Sequence, residues 1–241
     1  MNGNLLHGMN YYLSGFKLMF NPRLLPYVLS PLLINITLFS CAVWYSSSMF
    51  TQWLDWLLAN VPEWLAFVEW ILWPMFVFTI GTLIFFSFNM VANVIAAPFN
   101  SILAEKAEQI LTRHTMENTG VMALMSSIPA SLVREFHKMR YYFPRLILIS
   151  LLFFIPGINV LVFIFAAWMM AIQYIDYPMD NHKIAFKNML SLLRSRNLSA
   201  LGFGTLVMLS LTVPILNFIV IPAAVCGASI FWVNELKPIQ S

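Results

Sequence analysis

The sequence predicts an all-α integral membrane protein with two long transmembrane helices, two re-entrant (partly inserted) helical hairpins and interfacial amphipathic helices. Sixty per cent of its 241 residues are hydrophobic and only 10% are charged, and the mean hydropathy is +0.78. The uncharged runs 24–54 and 71–104 exceed the roughly 20 residues that a helix needs to cross a bilayer. We therefore expect one membrane domain over 1–241.

The first half of the chain contains the two long helices. Apolar residues recur at three- and four-residue steps over 1–20, which predicts an amphipathic helix in the membrane interface. Asn21 followed by Pro22 is a typical helix opening and begins a transmembrane helix over 22–54. The second transmembrane helix covers 64–113, and its uncharged run is about 51 Å long as a helix, so it tilts or extends beyond the bilayer.

Two interrupted apolar segments follow. The run 146–175 has no charge, yet the ten residues before Pro156 span only about 15 Å as a helix, too short to cross. This predicts a hairpin over 129–176; the alternative is one long, proline-kinked spanning helix. The pattern recurs in a second hairpin over 198–236, and paired interruptions point to a transport site. The predicted hairpin tips are Pro156, Gly157, Asn159, Pro214 and Asn217.

The distribution of charge supports the hairpins. The loop after the first span carries Asp55, Glu63 and Glu69 but no Lys or Arg, whereas the predicted interfacial helix over 180–196 is basic. Four single crossings would place these two loops on one side of the membrane, against the positive-inside tendency. If both later segments turn back, every Lys and Arg lies on one side, which we assign to the cytoplasm. The chain is therefore expected to be multi-pass.

The sequence does not support an enzyme. Its four histidines are scattered and form no HExxH pair, and it has neither a GxSxG elbow nor a GxxxxGK[ST] phosphate loop. Cys41 and Cys226 lie inside apolar segments without a partner at metal-ligand spacing. We therefore expect no catalytic residues, no metal, no cofactor and no nucleic-acid partner.

Several long segments resemble the CysZ family of bacterial sulfate permeases. They are SPLLIN at 30–35, NVIAAPFNSILAEK at 93–106, REFHKMRYYFPR at 134–145, FFIPGIN at 153–159, AIQYIDYPMDNHKIAFKNM at 171–189 and IPAAVCGASIFWV at 221–233. The resemblance implies a sulfate importer in the bacterial inner membrane that supplies cysteine synthesis. It also implies two long helices, two partly inserted hairpins, and assembly into a homodimer or higher homo-oligomer.

Sulfate needs donors that replace its hydration, such as a helix N-terminus or an arginine. The best place in this sequence is the start of the first span, with free backbone N–H groups and the charge of one arginine: Pro22, Arg23, Leu24 and Leu25. The resembled family has a glycine–aliphatic–arginine motif there, from which this chain departs because Arg23 stands at the glycine position. The alternative is that Arg23 only extends its charge to the interface.

Further polar residues suit an ion path. Asn89, Asn93 and Asn100 either line a pore or bond neighbouring helices. The charged residues Glu105, Glu108, Arg113, Arg134 and Arg140 form either a network at the cytoplasmic mouth, as the resemblance implies, or a solvated surface. Because the uncharged spans lack an acidic or basic proton carrier, we expect a channel-like path or a facilitator. The alternative function is a non-transporting membrane-shaping or scaffold protein built from hairpin wedges.

Overall fold

The structure, a computed structural model, describes residues 3–59, 67–113, 133–147, 149, 159–213 and 216–240, with the side chains at 57–58, 69, 84–96, 159, 218 and 240 outside the description. This part of the chain is helical and contains no strand, which confirms the all-α class. The helices are α1 (Leu5–Met19), α2 (Leu25–Ala59), α3 (Val68–Thr112), α4 (133–147), α5 (Asn159–Asn181), α6 (Phe186–Ser195), α7 (Asn197–Leu211), α8 (Asn217–Phe231) and α9 (Lys237–Gln240). A π-helical turn, Trp232–Leu236, joins α8 to α9.

Among the described residues, three stretches are long and apolar enough to cross a membrane, which makes the chain a membrane protein. They are Leu25–Trp56, Val160–Asn181 and Ile219–Ile239. The second and third are the later arms of the two predicted hairpins. Re-entrant insertion of the two hairpins stays a prediction. Pro156, Gly157 and Pro214, at the predicted tips, lie outside the described residues.

The contacts divide the chain into two compact units. One, 30–96, consists of most of α2 and the first part of α3, and its aromatic side chains pack together: the rings of Phe50 and Phe76 stack with centroids 3.9 Å apart. Large apolar side chains such as Trp70 and Phe78 are exposed there. Such a surface suits contact with lipid, in which apolar side chains need no cover from protein.

The other unit, 1–29 with 97–241, contains the buried core. Here α1 packs against α7 and α8, and α5 packs against α7. Tyr12 and Met19 of α1 are buried in this core, so much of the apolar face of α1 is covered by protein. Glycines allow the close approach: a Cβ atom at Gly8 would overlap the carbonyl oxygen of Ser199, and one at Gly204 would overlap that of Ala167. Small residues let helix backbones meet in this way.

Candidate functional site

The turn before α2 differs from the prediction in one chemical respect. The side-chain oxygen of Asn21 accepts a hydrogen bond from the backbone N–H of Arg23 at 3.0 Å. The Asn21 carbonyl accepts from the N–H groups of Leu24 and Leu25, at 2.8 and 3.2 Å. Pro22 has no N–H to offer. Because α2 begins only at Leu25, the expected row of free backbone donors over 22–25 is not present, and Leu24 is fully buried.

The side chain of Arg23 in this turn lines a cleft of about 580 Å³. Two further cations, Lys106 and Arg113, line the same cleft beside Gln109 and Tyr27. Of the described residues, none places a carboxylate within 4.0 Å of the guanidinium groups of Arg23 or Arg113. We call this surface, formed by Arg23, Lys106 and Arg113, the three-cation cleft.

The end of α3 positions two of these cations. Lys106 and Arg113 are seven residues apart, two helical turns, and therefore share one face. The Lys106 ammonium lies 3.9 Å from the Glu105 carboxylate and donates to the Gln109 side-chain oxygen at 3.3 Å. The Gln109 amide in turn donates to Glu105 at 3.0 Å. Arg113 follows α3 in a left-handed conformation, φ 57°, a geometry common where helices end.

Glu108, predicted to belong to a network at the cytoplasmic mouth, is a buried carboxylate between three helices. It is 1% exposed and accepts from the ring nitrogen Nε2 of His182 at 2.8 Å and from the ammonium of Lys237 at 2.8 Å. The His182 ring also lies 5.1 Å from the buried ring of Trp232. Glu108 thereby connects α3 to the residue after α5 and to the start of α9.

Arg134 belongs to a second buried cluster. Its Nη2 donates to the Asp176 carboxylate at 2.6 Å and its Nε at 3.0 Å, while Nη1 donates to the Ile184 carbonyl at 2.9 Å. The ammonium of Lys138 lies 3.4 Å from the same carboxylate and also pairs with Glu135. Asp176 and Lys138 are each 1% exposed. This cluster holds α4 against α5; Arg140, by contrast, is exposed.

The predicted pore asparagines fall into two groups. The side chains of Asn89 and Asn93 lie outside the description. Asn100 of α3 is buried. Beside it, Asn181 donates to the backbone carbonyl of Ser101 at 2.7 Å. These bonds of Ser101 and Asn181 connect α3 to α5, while the pore and interhelical roles of Asn89, Asn93 and Asn100 both stay predictions.

The residues that begin the second hairpin arms are placed as helix starts. Asn159 begins α5, with its side chain outside the description, and Asn217 begins α8. The side-chain oxygen of Asn217 is buried and has no hydrogen-bond partner among the described residues. In the described part of the chain, no group of three metal-ligating side chains comes together.

The predicted site residues did not include Lys106 and Gln109 of the cleft, or Lys138, His182 and Lys237 of the buried clusters. One sequence feature could have indicated the cleft, because Lys106 and Arg113 are seven residues, or two helical turns, apart and so lie on one side of α3. No local pattern indicates the contacts of Glu108, because its partners are 74 and 129 positions away in the chain. Chemically, the three-cation cleft suits a small multivalent anion, which guanidinium and ammonium groups bind by charge-assisted hydrogen bonds.

Several proteins that are similar in sequence to this chain are named sulfate transporters. The profile of the family described as Sulfate transporter CysZ/Etoposide-induced protein 2.4 matches residues 11–222. The chain is 44% identical to a sulfate transporter CysZ of Pseudomonas fluorescens over 241 residues, covering 98% of this chain and 96% of the relative. It is 41% identical to that of Pseudomonas paraeruginosa, covering 95% and 96%, and 39% identical to that of Pectobacterium atrosepticum, covering 97% and 87%. The chain belongs to the sulfate transporter CysZ family.

Proposed function

We propose that this chain is a sulfate permease of the bacterial inner membrane that imports sulfate for assimilation into cysteine. The observation that carries the proposal is the three-cation cleft, which Arg23, Lys106 and Arg113 line together. Relatives that match nearly the whole chain are named sulfate transporters. No comparable observation favours a membrane-shaping scaffold.

The cleft fits sulfate by charge and by donor chemistry. A doubly charged tetrahedral anion presents four oxygens, and Arg23 and Arg113 offer several N–H donors each. A hydrogen bond to a charged group contributes about 1.5–3 kcal/mol. Losing one arginine contact should therefore weaken sulfate binding by roughly 10- to 100-fold.

Transport is proposed to follow a channel-like or facilitated path through a multi-pass homodimer or higher homo-oligomer. A dianion that enters against 100 mV, inside negative, faces about 4.6 kcal/mol. That energy corresponds to a gradient of roughly 2,000-fold, so passive import depends on rapid removal of sulfate inside the cell. A protonophore should therefore leave sulfate uptake by vesicles intact, and loss of uptake would refute the uncoupled mechanism. Oligomerisation is tested separately by the mass of the purified particle.

The deciding experiment is uptake of radiolabelled sulfate by liposomes that contain the purified protein. Protein-dependent uptake, blocked by unlabelled sulfate, is expected for the wild type and should fall at least tenfold at low sulfate in Arg23→Ala and Arg113→Ala. Lys17→Ala removes one exposed cation of α1 outside the cleft and is the matched control. No uptake by folded wild-type protein would refute the function, and normal uptake by both arginine variants would refute the site.

A further inference from the structure

The short helix α6 has one face that the protein core covers. Met189, Leu190 and Leu193 are buried, and α6 contacts both α5 and α7. The apolar side of this amphipathic helix is therefore occupied by protein and is not available for insertion among lipid chains. Any partner of the opposite face of α6 must therefore be recognised by polar and charged groups.

The opposite face of α6 is cationic and exposed. Lys187, Ser191 and Arg194 follow one another at steps of four and three residues, which aligns them along one side of the helix over roughly 10 Å. Neither Lys187 nor Arg194 has a carboxylate within 4.0 Å among the residues that the structure describes. The buried cations Arg134 and Lys138, by contrast, both pair with the carboxylate of Asp176.

The position of α6 in the chain fixes the environment of this face. Four residues separate the end of the apolar span Val160–Asn181 from α6, and one residue separates α6 from the apolar helix α7. A charged helix between the ends of two apolar helices lies at the boundary between hydrocarbon and water, where phospholipid phosphates are found. The leaflet surface is negatively charged when it contains anionic lipids, and each nearby Lys or Arg contributes about 1 kcal/mol of attraction.

We propose that Lys187, Ser191 and Arg194 form a docking face for the headgroup phosphate of anionic phospholipids. The two cations supply the charge, and Ser191, whose hydroxyl donates to the carbonyl of Asn188 at 2.7 Å, lies between them on the same face. This surface is separate from the three-cation cleft, so its lipid contact does not depend on sulfate transport. The site selects an anionic over a zwitterionic headgroup because only the former leaves net negative charge to neutralise Lys187 and Arg194.

The test is the affinity of the full-length protein in neutral detergent for short-chain phosphatidylglycerol, beside phosphatidylcholine of the same chain length. The double variant Lys187→Gln/Arg194→Gln should bind phosphatidylglycerol up to roughly 30-fold more weakly, since two charges are lost. Lys17→Gln/Arg140→Gln removes two exposed cations from α1 and α4 and should retain the wild-type affinity. Raised salt should weaken wild-type binding, since exposed charges are screened.

Three results would overturn the proposal. Equal wild-type affinity for phosphatidylglycerol and phosphatidylcholine would mean that the headgroup charge is not recognised. An equal loss of affinity in both double variants would assign the effect to net charge rather than to α6. Competition by inorganic phosphate at the concentration of the lipid would mean that the face binds a free anion and not a membrane surface. Circular dichroism of each variant verifies that it is folded.

Discussion

The buried cluster around Asp176 permits a sharp test of what holds α4 against α5. The change is Asp176→Asn, which keeps the size of the side chain and one acceptor oxygen but removes the charge that faces Arg134 and Lys138. Removing one partner of a buried ion pair typically costs about 3–5 kcal/mol. Lys138 keeps Glu135 as a second partner, so we expect the lower end of that range, about 3 kcal/mol.

The matched control lies one helical turn away. Asp180 faces the same guanidinium of Arg134, but at 3.5 Å and with 34% of its side chain exposed. A pair so exposed contributes at most about 1 kcal/mol, because water and salt screen it. Asp180→Asn therefore changes the charge by the same amount as Asp176→Asn while removing a much weaker interaction.

The assay is thermal unfolding in detergent, followed by circular dichroism. For a chain of this size, 1 kcal/mol corresponds to about 2–4 °C, so Asp176→Asn should lower the midpoint by about 6–12 °C and Asp180→Asn by no more than about 4 °C. The double change Arg134→Gln/Asp176→Asn should cost less than the sum of the two single changes, because it leaves no uncompensated arginine. Equal shifts for the two aspartates, or strict additivity in the double variant, would refute the reasoning.

Two further predictions concern the packing and the ionisation of α1. Gly8→Ala should destabilise the protein by about 1–3 kcal/mol, since the new methyl group overlaps the backbone of α7. At Gly81 a Cβ atom meets no described atom within 4 Å beyond the helix's own backbone, so Gly81→Ala should be neutral or stabilising by up to about 1 kcal/mol. Unfolding midpoints measure both changes. Burial, and then the carboxylate of Glu235, raises the pKa of Tyr11 from 10 to about 12. This raised pKa means that the stabilisation is complete below pH 10 and is lost as the pH rises through 12. The unfolding midpoint should therefore fall more steeply between pH 10 and 12 in the wild type than in Tyr11→Phe, and equal slopes would contradict the assignment.

The membrane class and the all-α fold were predictable because they depend on local properties. An uncharged run such as 24–54 forms a helix in lipid whatever surrounds it, since the backbone must satisfy its own hydrogen bonds there. Which residue pairs with a charged side chain depends instead on contacts between distant parts of the chain. Glu108 meets Lys237 across 129 positions, and nothing near either residue indicates the other.

The first helix illustrates the limit of periodicity. The spacing of Tyr12 and Met19 predicts that α1 has an apolar face, but it does not indicate what covers that face. The sequence-based interpretation assigned it to the membrane interface, whereas α7 and α8 cover much of it. Gly8 lies at a close approach of α1 to α7. A glycine has no side chain whose polarity could reveal its contact.

The candidate site was predictable only as far as it depends on local sequence. Arg23 was identified from its position at the start of a span, and Arg113 from the end of another. That both line one cleft depends on the packing of the turn before α2 against the end of α3, which no spacing along the chain encodes. The loss of free N–H donors over 22–25 depends on the conformation of a single turn.

The packing of α1 against α7 has a consequence for the order of events during synthesis. Asn4 donates its backbone N–H to the hydroxyl of Ser199, 195 positions later. Ribosomes add about 5–20 residues per second, so roughly 10–40 s separate the appearance of the two residues. During that time α1 has left the ribosome but its binding groove does not yet exist. A nascent chain that is arrested before α7 therefore leaves α1 uncovered, and the N-terminal segment of such a chain should be cut readily by protease until the last two apolar helices are made.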